Sequence, residues 1–382
     1  MNRMLSSFLV LLSIVLAILL SEFTARLFLY KVDYLQPYSY SDAKLGFAIK
    51  PYSAGHDKWG FRNRVFPDYV DIVAIGDSMT YGNCALSSYS WPALLELKTN
   101  KKVYNMSVGG YGPVQYYYLL KEKALQLKPK IVIVGLYLGN DLWDTYSMIY
   151  NYQYWRDLRD NDLISNSKQI NGEKSILIVD KNEPNNKIYS IKNYLAHNSI
   201  LYRIIVYSIF GDIAMWNEAT IKGKSNDKMV FLEDKKHNIK TSFMSGENLF
   251  GLDINKKEIK EGLVKTLLLF DMMHQLCSQR NIIFVVVVMP TKAMVYSKYI
   301  DFGLDKYGLI KKQIECEIKV TNEVLKHFKY NKINYVEALP FMQNKIGAHM
   351  LYTASIDGHP NRWGYDVIAQ AIADYLIKQN ML

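Results

Sequence analysis

Asp71-Ile72-Val73-Ala74-Ile75-Gly76-Asp77-Ser78-Met79-Thr80-Tyr81-Gly82 decides how the rest of the chain is read. Asp71–Ile75 is a short apolar run that stops at a glycine, as a strand buried inside a parallel sheet does. A Gly-Asp-Ser turn and a short helix follow. Ser78 therefore falls at the carboxyl edge of a sheet and close to a helix N-terminus, where free N–H groups and the helix dipole stabilise negative charge. A nucleophilic serine in that position gains an oxyanion donor from its own backbone. A serine N-cap with an acidic neighbour has the same local form, so this segment alone leaves both readings open.

Outward from it, strands and helices alternate. Trp91–Lys98 reads as a helix and Val103–Asn105 as a strand, followed by a helix over Val114–Leu127 with Pro113 just before it and a strand at Lys130–Leu138. Later come a helix at Ile259–Gln279, a fully apolar strand at Ile282–Met289, a helix at Leu309–Phe328, a strand at Ile333–Val336 and a closing helix at Arg362–Lys378. This alternation predicts an α/β fold with a parallel sheet covered on both faces. Asp144 to Asn255, rich in Asn, Tyr, Ser and Lys, breaks the rhythm. It carries a helical piece near Ser199–Phe210 and a strand-like piece at Ser175–Val179. So long a stretch is not one loop, and it is expected to lie as a cap over the carboxyl edge, where open α/β sheets bind ligands.

Met4 to Leu20 contains no charge, and continuing towards Leu29 it reaches a bilayer-spanning length of about 20 residues. Glu22 and Arg26 then fall near the interface. A cleavable signal peptide is the rival reading, with Arg3 as its charged start, but no clear small-x-small site follows the apolar core, which favours an uncleaved anchor. The expected organisation is an anchor and juxtamembrane segment at residues 1–32, an extended lead-in at 33–68 and a domain at 69–382 with its insertion at about 144–255.

The net charge of +10, with lysines concentrated between Lys222 and Lys265, fits a solvated basic face or one that attracts anionic partners. No nucleic-acid motif accompanies it, so no nucleic-acid partner is expected. Cys84, Cys277 and Cys316 have no metal spacing and leave the redox compartment open.

Three further segments bear chemistry. Asn105-Met106-Ser107-Val108-Gly109-Gly110-Tyr111-Gly112 follows a strand, and its glycines let backbone N–H groups approach a ligand or simply make a turn. Gly139-Asn140-Asp141 ends another strand, where an asparagine can aim its amide at an oxyanion or cap a helix. Asp357-Gly358-His359-Pro360-Asn361 holds a base and a carboxylate to orient it, or a surface loop of the same composition. His349 has no helical spacing to His359, so no metal site is expected there. Tyr81, Tyr111 and Trp143 lie beside these motifs, fit either to line a pocket or to pack.

The order of these pieces resembles the SGNH/GDSL hydrolases, from about Leu45 to the end of the chain. Leu45-Gly46 with Lys50-Pro51, Gly60-Phe61-Arg62, GDSMTYG, NMSVGGYGPVQ, LGND and DGHPNRWGY are similar to an anchored bacterial branch linked to surface or exopolysaccharide modification. The resemblance implies a three-layer α/β/α, flavodoxin-like sandwich with a cap-like insertion. It also implies Ser78 as nucleophile, His359 as base, Asp357 as the residue holding its ring, and an oxyanion hole from Ser78, Gly110 and Asn140. Many members place the aspartate three residues before the histidine, where Ile356 stands here; Asp357 is two before. Gly110 stands five residues after Asn105, as in the family block, with a second glycine, Gly109, ahead of it. No cofactor is implied. The expected activity is ester hydrolysis or O-acyl transfer on an acyl ester, acetyl foremost, of an envelope glycan, with the domain outside a bacterial membrane. A catalytically silent glycan-binding or assembly protein of the same fold is the alternative.

Overall fold

The structure is a computed structural model that describes residues 2–159, 187–210 and 229–382. The strand-like piece expected at Ser175–Val179 lies outside the described residues. In chain order the elements begin with helix α1 (Asn2–Phe28), a hairpin of β1 (Ser39–Asp42) and β2 (Gly46–Ile49), then β3 (Ile72–Gly76), α2 (Ser78–Tyr81), α3 (Trp91–Thr99), β4 (Val103–Ser107) and α4 (Pro113–Glu122). They continue with β5 (Ile131–Tyr137), α5 (Asp141–Asn151), α6 (Lys187–Asn198), α7 (Ile200–Phe210), and a second hairpin of β6 (Met229–Asp234) and β7 (Ile239–Met244). The last part holds α8 (Leu249–Leu252), α9 (Lys257–Ser278), β8 (Ile283–Met289), α10 (Lys292–Val295), α11 (Leu309–Tyr330), β9 (Asn334–Glu337), α12 (Ala338–Asn344) and α13 (Arg362–Lys378).

The central sheet has the order β4-β3-β5-β8-β9, and every pairing in it is parallel. Successive strand side chains point to opposite faces, and the core divides accordingly. Ile72, Ala74, Ile131, Ile133, Val285 and Val287 pack towards α3, α12 and α13. Val73, Ile75, Val132, Val134, Val286 and Val288 pack towards α4, α9 and α11. Both faces being covered explains why these strands are apolar throughout rather than alternating. The chain therefore has the α/β/α architecture expected of it. β3 is an interior strand, and its two neighbours come next in sequence on opposite sides, which puts the topological switch point between β3 and β5. Ligands of open α/β sheets bind in that crevice, beyond the strands' carboxyl ends.

Several boundaries differ from the sequence expectation. Pro113 is the first residue of α4, where its missing N–H costs nothing. That helix stops at Glu122, and Ala124–Leu127 forms a tighter 3-10 turn. Helix α5 runs to Asn151, past Asp144, because Leu142, Thr145, Tyr146, Met148 and Ile149 make a buried face. Its backbone meets α9 at Gly262, where a Cβ would lie 2.0 Å from the Leu142 carbonyl. Among the described residues one helix, α1, is long and apolar enough to cross a membrane, and its apolar stretch is not buried by the protein.

Candidate active site

The turn after β3 exists because two glycines leave room for Thr80. A Cβ on Gly76 would lie 2.1 Å from Thr80 Oγ1, and one on Gly135 of β5 would lie 2.4 Å from it. Thr80 thus seats α2 across the switch point. Asp77 caps the helix, its Oδ1 accepting from the Met79 N–H at 2.8 Å. Ser78 opens α2 and is half-buried, so its hydroxyl is held yet reachable.

The lead-in segment braces this turn from behind. Arg62, only 8% exposed, donates through Nη1 to the Tyr81 and Gly82 carbonyls (3.1 and 2.8 Å) and through Nη2 to the Ala85 carbonyl (3.0 Å). Nη2 also pairs with Asp33 Oδ1 at 3.1 Å, and that oxygen accepts from the Ser87 N–H at 2.6 Å. Asn63 exchanges hydrogen bonds with the Asn105 backbone on β4. The Gly-Phe-Arg motif is thus a clamp on the Ser78 turn.

The far C-terminus supplies the other half. His359 Nε2 lies 2.7 Å from Ser78 Oγ, and His359 Nδ1 lies 2.6 Å from Asp357 Oδ1. A carboxylate only accepts, so Nδ1 carries the hydrogen and Nε2 keeps the lone pair that faces the serine hydroxyl. The main-chain N–H of His359 donates to the same Asp357 Oδ1 at 2.8 Å. Burial opposes ionisation of Asp357, but the bonds from the His359 ring and backbone overcome it and hold the carboxyl well below its usual range. Burial likewise opposes an imidazolium at His359, yet the Asp357 carboxylate, aided by Asp77, raises its pKa above the ordinary value. Asp77 itself, wholly buried, is pushed up to about 6 by burial, the Met79 N–H and His359 working the other way.

Lys292 fixes the loop that carries Asp357. It follows β8, is 4% exposed, and its Nζ donates to the Ser355 and Asp357 carbonyls at 2.9 and 2.8 Å. From the other side β7 reaches the same loop: Thr241 Oγ1 donates to the Thr353 carbonyl and Ser242 Oγ to that of Ala354. Asn361, two residues after His359, caps α13 by accepting from the Trp363 and Gly364 N–H groups.

Asn140 leaves β5 on the edge that holds Ser78. Its Nδ2 donates one hydrogen to Asp144 Oδ2 at 2.7 Å, which orients the amide and leaves its second hydrogen available. Asp141 secures the turn by accepting from the Tyr137 N–H and the Tyr116 hydroxyl, both at 2.9 Å. After β4, a Cβ on Gly109 would stand 3.5 Å from Ser78 Cβ, so this loop lies directly against the serine. Gly110 is exposed with φ +84, a left-handed conformation suited to glycine.

The structure thus joins Ser78, His359 and Asp357 in one hydrogen-bonded chain and puts Gly110 and Asn140 on the loops of the two strands flanking β3. Tyr111 is buried and bonds the Phe47 carbonyl, and Tyr81 bonds His56, so both are packing residues. Trp143 is half-buried, edge-on to the exposed Phe250 of α8. All three cysteines are free thiols. Cys84 lies near Asp357 and His359, their donor atoms being within 4.8 Å of one another. Both ring nitrogens of His359 are engaged, Nδ1 by Asp357 and the Nε2 lone pair by the Ser78 hydroxyl. The sequence reading missed Lys292; its signal was a charged residue within three positions of the end of an apolar strand, as Ser78 and Asn140 are of theirs.

No protein-family model matches the chain, and no curated protein does. Solved structures do. One described as a lipolytic protein of the G-D-S-L family, from Desulfitobacterium hafniense, aligns at 13% identity over 80% of this chain and 98% of its own, with a TM-score of 0.38. A Pseudoalteromonas esterase aligns at 10% identity over 81% and 98%, TM-score 0.37. A variant of a Geobacillus acetyl-xylooligosaccharide esterase aligns at 8% identity over 80% and 94%, TM-score 0.37. The matches include the GDSL kind that the motifs resemble.

Proposed function

We propose that the chain is a membrane-anchored serine esterase or O-acyltransferase of SGNH/GDSL type. The observation that carries this reading is the continuous Asp357–His359–Ser78 relay, with links of 2.6 and 2.7 Å, at the switch point of the sheet. A serine, a base within hydrogen-bond reach and a third group orienting that base are the parts of nucleophilic acyl transfer.

His359 Nε2 takes the Ser78 proton as Oγ bonds to the ester carbonyl carbon. The carbonyl oxygen becomes an oxyanion that accepts from the Ser78 and Gly110 N–H groups and from the Asn140 amide. The tetrahedral centre then collapses, the bond to the alkoxy oxygen breaks, and His359 returns its proton to the leaving alcohol. In the second half an acceptor hydroxyl gives its proton to His359 and attacks the acyl carbon, and Ser78 leaves with the proton restored. Water as acceptor makes an esterase; a sugar hydroxyl makes a transferase.

An acetylated envelope glycan is the substrate class we favour. The half-exposed Trp143 and Phe250 beside the Asn140 loop suit a sugar face, and α1 suits retention at a membrane. The test uses the full chain in detergent with a fluorophosphonate probe, which reports serine activation whatever the acceptor, together with a chromogenic acetate ester. Labelling abolished by Ser78→Ala and His359→Ala, with both variants folded, supports the reading. Labelling that survives Ser78→Ala puts the activated nucleophile elsewhere and overturns the site; a folded wild type that never labels leaves the silent glycan-binding reading in its place.

A further inference from the structure

Helix α1 is not a free tether. Glu22, near its C-terminal end, accepts from Ser199 Oγ (3.0 Å), the Ile200 N–H (3.1 Å) and the Leu201 N–H (2.9 Å), and so caps α7. Arg26 pairs with Glu22 at 2.7 Å and donates to the Asn198 carbonyl, the last residue of α6. The segment after α1 extends the joint. Arg203 Nε donates to the Tyr34 carbonyl at 2.9 Å, the Gln36 N–H to the Ala196 carbonyl at 3.0 Å, and Tyr38 stacks on His197 at 4.1 Å.

The height of this joint follows from helix geometry. Arg3 to Glu22 spans 19 residues, about 28 Å at about 1.5 Å per residue, close to the hydrocarbon thickness of a bilayer at about 30 Å. If Arg3 and Glu22 bracket the hydrocarbon, the first turn of α7 is pinned at its boundary. The sequence of α7, ILYRIIVYSIF, has one charge, and that charge is turned onto Tyr34. Ile200 and Val206 are buried in the protein, whereas Ile205 is 48% exposed; at the end of α1, Leu27 is 64% and Phe28 81% exposed. An apolar helix fixed at that level by a polar clamp has acyl chains within reach of its outer side.

We propose that α7 is a second membrane contact, an interfacial helix whose outer face is covered by the lipid bilayer, so that the insertion seats the domain on the membrane surface. This rests on the reading of α1 as a retained span. The test uses the full chain in nanodiscs, with Cys84→Ser removing the one half-buried thiol. Ile205→Cys, Leu16→Cys and Tyr330→Cys variants each carry an environment-sensitive fluorophore, and quenching by nitroxide-bearing lipids and by aqueous iodide is measured. Quenching at 205 by lipid nitroxide, several-fold above that at 330 and approaching that at 16, is the expected result. Strong quenching at 16 with 205 no better quenched than 330 overturns the interfacial helix while sparing the anchor. Protection of 205 from both quenchers also overturns it, in favour of a protein surface over this face. A position 16 that lipid nitroxide does not reach refutes the anchor itself.

Discussion

Replacing Asp357 by asparagine separates two contributions that a serine–histidine–aspartate relay usually loses together. In the serine-protease template the same change costs about 10,000-fold in turnover, because the amide presents its nitrogen to the ring and the wrong tautomer results. Here Asp357 Oδ1 accepts from two donors, His359 Nδ1 at 2.6 Å and the His359 main-chain N–H at 2.8 Å. An amide nitrogen there would face two hydrogens, so the substituted side chain turns its oxygen to that spot and the tautomer survives. What is lost is the charge. A hydrogen bond to a charged group contributes about 1.5–3 kcal/mol and a neutral one about 0.5–1.5, a difference of about 1–2 kcal/mol or roughly 5- to 30-fold in rate. The assay is the second-order rate of Ser78 labelling by a fluorophosphonate for the wild type, Asp357→Asn and Asp357→Ala across mildly acid to mildly alkaline pH. Asp357→Asn should fall by that factor and its acid limb should move to lower pH, since the carboxylate no longer raises the His359 pKa; Asp357→Ala should fall much further. Equal losses in the two variants would refute the argument from the doubly accepting oxygen.

In the wild type, labelling requires neutral His359, so the rate should drop as pH falls through a pKa above the ordinary imidazole value of about 6.5. Asp77→Asn keeps an oxygen to cap Met79 but removes a charge that favours the imidazolium, and a pH–rate profile should show the limb moved down. Asn140→Ala should lower turnover of the acetate ester by about 100- to 1,000-fold, the loss expected for one oxyanion donor, and stability by about 1–3 kcal/mol as Asp144 loses its donor. Arg62→Met strands Asp33 and three carbonyls, and denaturant unfolding should show about 3–5 kcal/mol lost, as for a broken buried ion pair.

Local signals carried much of this into the sequence. A buried parallel strand has to be apolar on both faces, so β3, β5 and β8 stand out as unbroken runs, and whatever polar residue follows each run must sit at the sheet's edge. That logic reaches Ser78 and Asn140 directly. It applies equally to Lys292, which follows Met289-Pro290-Thr291 after β8, but a lysine has no motif to distinguish it from a solvated one. Its function depends on carbonyls at Ser355 and Asp357, more than sixty residues on, a pairing that no local pattern encodes. Arg62 was visible as part of a motif but silent as a clamp, since its partners, Asp33 and the turn at Ser78, lie on either side of it in the chain. The joint between Glu22 and α7 spans a still longer separation.

The relay also has a consequence for when the site becomes competent. Ser78 and His359 are 281 residues apart, and the base comes from the loop that leads into α13. At a synthesis rate of about 5–20 residues per second, Ser78 precedes His359 by roughly 15 to 55 seconds. Throughout that interval the sheet can begin to form around β3, β4 and β5, yet the serine hydroxyl remains an ordinary alcohol. Under the proposed function, acylating power is therefore withheld from a nascent chain until the segment carrying His359 has docked.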